Sequence, residues 1–120
     1  MLKEKKDVCT NRSLMCQFQQ LYFSDDGYVV RCKKCDHFQV GFASTMLTVN
    51  EKDFDILLAI VKKKLNTEIQ TNQLVKSIII PTPYTGVKIL LTQQELQKLH
   101  AMLENADSEI KALALLDLFE

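Results

Sequence analysis

The sequence predicts an α+β domain: an antiparallel β-sheet with a zinc-ribbon-like knuckle and two or three packed helices. Three observations carry that expectation. Residues 17–49 hold short runs rich in aromatic and β-branched residues, separated by turn signals. A Cys-x-x-Cys pair, Cys32 and Cys35, lies between two of these runs. Beyond residue 50, two stretches place apolar residues at three- and four-residue steps, with a Pro- and Gly-marked hairpin between them.

Taken in order, Gln17 to Phe23 is the first strand, with Leu21, Tyr22 and Phe23 as strand formers. Asp25-Asp26-Gly27 is a turn signal, because Asp-Gly tolerates positive φ. Tyr28 to Arg31 returns as the second strand, His37 to Ala43 is the third and Thr45 to Val49 the fourth. Asn50 then caps a helix whose first turn is acidic. Its core stripe is Phe54, Leu57, Leu58, Val61 and Leu65, and the polar run from Asn66 to Asn72 ends it. Val75 to Ile80 reads as a buried strand. Pro81 to Gly86 forms a turn, and Val87 to Leu91 is the partner strand. Thr92-Gln93-Gln94-Glu95 has the capping-box pattern and opens a helix with Leu96, Leu99, Leu103, Ala106, Ile110 and Leu113 on one side. Asp107-Ser108 is a point where a further helix can restart. The pattern Leu47 to Phe54 is echoed by Leu90 to Leu96: strand, cap, polar residues, acid, apolar. A duplicated strand–helix unit and a shared helix-start chemistry both account for this.

Size and composition bound the function. A chain of 120 residues fits one domain, and 47% apolar with 25% charged residues is ordinary for a globular protein. Within it, residues 1–15 read as a loosely ordered lead, 16–49 as knuckle and sheet, and 50–120 as a helix–hairpin–helix portion. Basic and acidic residues balance at 15 each, so no net field draws the chain to nucleic acid or membrane. Residues 1–35 carry seven basic and four acidic residues, a mild excess read as solvated surface. Met1 to Asp7 lacks the apolar core of a secretory signal. The longest apolar run, Ile56 to Val61, is far too short for a membrane span. The expectation is a cytoplasmic protein, and in a reducing compartment its cysteines serve metal binding or reactivity rather than disulfides.

Those cysteines are the main chemical signal. A tight Cys-x-x-Cys turn can present two thiolates to one zinc ion, and zinc in structural sites takes four tetrahedral ligands. The expected cofactor is therefore a structural Zn(2+), with Cys9, Cys16, Cys32 and Cys35 as the ligand set. Cys32 and Cys35 form the core pair. Cys16 joins through the pairing of the first two strands. Cys9 stands at an unusual six-residue spacing from Cys16, so His37 competes with it for the fourth place. Arg31, Lys33 and Lys34 are placed to offset the charge of the thiolates. The contrary reading is four buried apolar cysteines. A redox Cys-x-x-Cys favours a cysteine at a helix N-terminus. Here the motif runs into a strand-like segment, which argues against an oxidoreductase.

Other features are weaker signals. Tyr22, Tyr28 and Phe38, beside Arg31 and Lys33, could form an aromatic platform for single-stranded nucleic acid. Three aromatics on neighbouring strands are more often core residues. His100 reads as a surface or boundary residue, and Asp25 and Asp26 as turn residues rather than a catalytic pair. Ala112 to Phe119 is apolar around nearly its whole circumference and must pack in the core or meet a protein partner. Its Leu115-Leu116-Asp117-Leu118-Phe119 resembles the peptide by which bacterial proteins dock on the replication sliding clamp. It has Leu115 where that peptide begins with Gln, and that peptide binds extended.

Cys16, the Leu-Tyr strand, Asp26-Gly27-Tyr28-Val29, Cys32-x-x-Cys35, Gln39, Gly41-Phe42 and the two Leu-Thr-type helix starts resemble a family of short, uncharacterised bacterial proteins. That family is classed as a domain of unknown function and is found chiefly in Bacteroidetes. The resemblance runs from Cys16 to about Phe119, leaving Cys9 outside it. It implies a cytosolic protein without assigned activity and carries over no catalytic residues. The function expected is a non-enzymatic binding or regulatory module, with a thiol- or metal-dependent enzyme as the alternative.

Overall fold

Alternation decides which side of each strand is buried. The computed structural model describes residues 17–67 and 75–119. Four strands, β1 (Phe18–Ser24), β2 (Gly27–Cys32), β3 (Phe38–Phe42) and β4 (Thr45–Val49), form an antiparallel meander in the order β1-β2-β3-β4. Directly opposed residues share a face. Val29 pairs with Val40 and Val40 with Leu47, while Phe38 pairs with Val49, and all five are buried. The intervening residues Tyr28, Val30, Gln39, Met46 and Thr48 form the other face. Leu21 has no pairing partner on β2, because the register shifts between Gln20 and Tyr22. This bulge turns Tyr22 to the same side as Val29, against the core.

Helix α1 (Glu51–Thr67) follows β4 directly. Asn50 Oδ1 accepts from the Asp53 amide at 2.8 Å, the N-cap expected from the sequence. Phe54, Leu57 and Val61 are its buried residues. Strands β5 (Ile78–Pro81) and β6 (Lys88–Leu91) form a separate two-stranded sheet. The single sheet of the sequence reading is thus divided in two, although the α+β class holds. The β5–β6 turn is tied to the larger sheet: the Tyr84 hydroxyl donates to the Thr48 carbonyl on edge strand β4.

Helix α2 (Gln93–Asp117) is one unbroken helix, so Asp107-Ser108 does not restart it. It packs on β1, β2 and α1, while α1 packs on β4 and β5. One core results, in which Phe38 stacks on Phe54 with ring centroids 4.9 Å apart and Leu96, Leu99, Met102, Leu103 and Ala106 are fully buried. Both helices lie on one side of the meander. No helix among the described residues is long and apolar enough to cross a membrane.

Candidate metal centre

The turn between β2 and β3 is built around the sulfur of Cys32. The Cys32 amide donates to the His37 carbonyl and the Asp36 amide to the Cys32 carbonyl, each at 2.8 Å. Asp36 takes φ 60, a left-handed conformation that Asp tolerates better than most residues, and this lets the chain reverse into β3. The Lys33 amide donates to the Gln17 carbonyl at 2.8 Å, which draws the chain just before β1 alongside the turn. Cys32 is buried and Cys35 half-buried, and neither forms a disulfide.

Burial pushes the Cys32 thiol up. The backbone N–H groups of Cys35, Lys34 and Gln17 and the side chain of Cys35 act the other way and prevail, so the thiol is held below its ordinary range. The physical cause is that amide donors stabilise the anionic sulfur more than the neutral one. A turn of this kind favours a thiolate, the form that a metal takes.

The described residues bring two of the four expected ligands together, Cys32 and Cys35. Cys9 and Cys16 lie outside the described residues. Cys16 is nevertheless bonded to Gln17, whose backbone touches the turn, and consecutive Cα atoms are about 3.8 Å apart. His37 turns Nδ1 to within 3.1 Å of the Cys35 carbonyl oxygen. Among the described residues, no group of three or more His, Cys, Asp and Glu converges as a metal site. His37 therefore does not complete one with Cys32 and Cys35. Among the described residues, Cys32 and Cys35 fit half of a zinc–thiolate site.

Arg31 takes no place around the sulfurs. It pairs with Phe38 across β2 and β3, on the face opposite Cys32. Its guanidinium donates to Gln19 Oε1 at 2.7 Å and lies 6.0 Å from the centroid of the Phe38 ring. Lys33 and Lys34 remain exposed on the turn.

The model of a family of unknown function, DUF6686, matches residues 14–119. The chain belongs to this family. No curated protein and no solved structure matches it. The DUF6686 match begins two residues before Cys16, so it takes in Cys16, Cys32 and Cys35 and omits Cys9.

The remaining candidate residues of this DUF6686 chain are dispersed. Tyr22 and Phe38 lie against the helices and Tyr28 on the opposite face, so the three do not make one aromatic platform. His100 is half-buried on α2, with Nε2 3.3 Å from Glu104 Oε2. At the end of α2, Ile110 and Leu113 pack on the core, whereas Leu115, Leu116, Leu118 and Phe119 are exposed. Sequence reasoning missed one feature: Phe23 and Met46, read as strand residues, stand exposed beside Tyr28. Alternation in β4, where Leu47 and Val49 face the core, was the signal for Met46; for Phe23 there was none, because strict alternation would set it beside core-facing Leu21 and the bulge before Tyr22 reverses that.

Proposed function

We propose that this DUF6686 domain is a non-enzymatic binding or regulatory module, cytoplasmic, whose small sheet is clasped by a structural zinc ion. Cys32, Cys35 and Cys16 are the principal ligands and Cys9 is the fourth. The observation that carries this reading is the β2–β3 turn itself: one tight reversal holds both Cys32 and Cys35, and its Lys33 amide donates at 2.8 Å to the carbonyl of Gln17, the neighbour in sequence of Cys16. Zinc binding requires deprotonated sulfur, and a turn that already favours thiolate lowers the cost of supplying it. The ion would join the β2–β3 turn to the chain before β1, and its binding free energy would act as folding free energy. A redox role is less well supported, because Cys35 leads into β3 rather than into a helix.

Replacing each cysteine with serine tests this. Cys32→Ser, Cys35→Ser and Cys16→Ser are expected to lose zinc and to melt about 10 °C or more below the parent. Cys9→Ser should weaken zinc retention. Variants that keep both metal content and melting temperature would overturn the reading. A reversible Cys32–Cys35 disulfide in a protein indifferent to zinc would favour thiol chemistry instead.

The exposure of Leu118 and Phe119, at 77% and 81%, supports a second reading: residues 115–119 dock on a protein partner. Deleting Leu118 and Phe119 should then leave the melting temperature within about 2 °C of the parent, because neither side chain is buried. A large loss of stability would assign them to the core. Addition of purified sliding clamp tests the motif resemblance, and equal binding by parent and deletion variant would dismiss it.

A further inference from the structure

The four-stranded sheet carries a recess at the end opposite the cysteine turn. The β1–β2 and β3–β4 hairpin ends meet there, because Gly27 pairs with Phe42 and Tyr28 with Gly41. The space between them measures about 410 Å³, within the range of small-ligand pockets. We propose that this recess binds an organic cation, an alkylammonium or guanidinium group carried on an apolar stem.

Its wall is a row across all four strands on the face away from α1 and α2: Phe23, Tyr28, Gly41 and Met46 are paired in succession. Gly41 leaves room for the Tyr28 ring, which a Cβ at that position would strike. The Tyr28 hydroxyl donates to Met46 Sδ at 3.1 Å, holding the ring over the glycine. Phe23 and Met46 flank the ring at 69% and 57% exposure, so neither side chain is used by the core. The row is built before any ligand arrives, which reduces the ordering cost of binding.

Charge selects the ligand class. Asp25 and Asp26 line the recess, and among the described residues no Lys, Arg or His does. Lys98, from α2, stands 3.6 Å from Asp26, whereas Asp25 has no ion-pair partner among the described residues. Carboxylates repel an anion, and aromatic faces attract a cation through the ring quadrupole. A neutral apolar molecule would use Phe23 and Met46 but gain nothing from Asp25. A cation on an apolar stem uses both.

The test is an NMR titration of the full chain with n-butylammonium chloride and with N-acetylarginine methylamide, beside n-butanol and sodium butyrate. Saturable shifts at Phe23, Tyr28 and Met46 are expected for the two cations, with half-saturation on the order of millimolar. The neutral and anionic analogues should bind roughly tenfold more weakly. Asp25→Asn and Phe23→Ala should each weaken cation binding several-fold while the signals of Phe54 and Leu99 stay in place. Equal shifts with butanol, shifts that never saturate, or unchanged binding by both variants would overturn the proposal. A Gly-Ser peptide with one central arginine identifies the source. Tighter binding than the methylamide points to a polypeptide, and equal binding points to a small amine. Either outcome supports a cation site.

Discussion

Gly27 and Gly41 show how single residues set the geometry of the sheet. Neither takes a positive φ, so conformational freedom is not their reason. Each is there because another group needs the space. A Cβ at Gly27 would collide with the Gly41 carbonyl oxygen and approach Met102 Sδ at 3.1 Å. A Cβ at Gly41 would meet the Tyr28 ring. The two obstacles differ in kind: the first is a neighbouring strand's backbone, the second a side chain that can swing outwards. Gly27→Ala should therefore cost about 1–3 kcal/mol and Gly41→Ala less, measured by urea denaturation. The reverse order would mean that Tyr28 is held more firmly than the adjacent backbone. The sequence marks Gly27 as part of an Asp-Gly turn, whereas it opens β2 without a positive φ. Its close approach to β3 was not legible, because that depends on a pairing the local sequence does not encode.

Among the elements, the start of α2 was the most legible. Thr92-Gln93-Gln94-Glu95 predicts a capping box, and both halves form: the Glu95 amide donates to Thr92 Oγ1 at 3.0 Å and the Thr92 amide to Glu95 Oε1 at 2.9 Å. The contribution of Lys76 was not legible. It lies before β5 and reaches Glu95 Oε1 at 2.8 Å across the hairpin. Hydrogen bonding from Lys76, followed by that from the Thr92 backbone, holds the Glu95 carboxyl below its ordinary value of 4.5. A lowered folded pKa means that this stabilisation is complete above the ordinary value and is lost as pH falls through the lowered one. Glu95→Gln keeps a capping oxygen but loses the ion pair. At pH 7 it should be about 0.5–1 kcal/mol less stable than the parent, and the gap should narrow as pH falls below about 4.5. Because the two proteins differ only at residue 95, the difference between them is the quantity to follow. A gap that widens in acid would contradict the assignment. Elsewhere, boundaries shifted where tertiary pairing decides them. β5 starts at Ile78, the first residue in register with β6, and the Ser77 amide still donates to the Leu91 carbonyl at 3.1 Å, so Val75 lies outside the strand. Helix α2 passes through Asp107-Ser108, with Lys111 Nζ and Asp107 Oδ2 2.8 Å apart on successive turns.

Over the whole molecule, one layer of two helices covers one face of a four-stranded meander, and no helix among the described residues covers the other. The α+β class followed from periodicity that changes from two to about 3.6 near residue 50. The division into two sheets did not, because nothing local to Val87–Leu91 says whether it joins β4 or pairs with β5 alone. The Cys-x-x-Cys turn was legible in full, since spacing and flanking strands are local properties. Closure of the site was not, because it depends on how the chain before Gln17 meets the turn. The hydrogen bond from Lys33 to Gln17 sets Gln17 itself against the turn and makes Cys16, its neighbour in sequence, the next residue to test. The proposed zinc clasp would hold the sheet at its second end, opposite the Gly27–Gly41 contact at the hairpins. X-ray absorption at the zinc edge of the zinc-loaded full chain measures that clasp most directly. One zinc per chain with at least three sulfur neighbours near 2.3 Å is the expected result. A chain that takes up no zinc, or zinc bound only by nitrogen and oxygen, would contradict it.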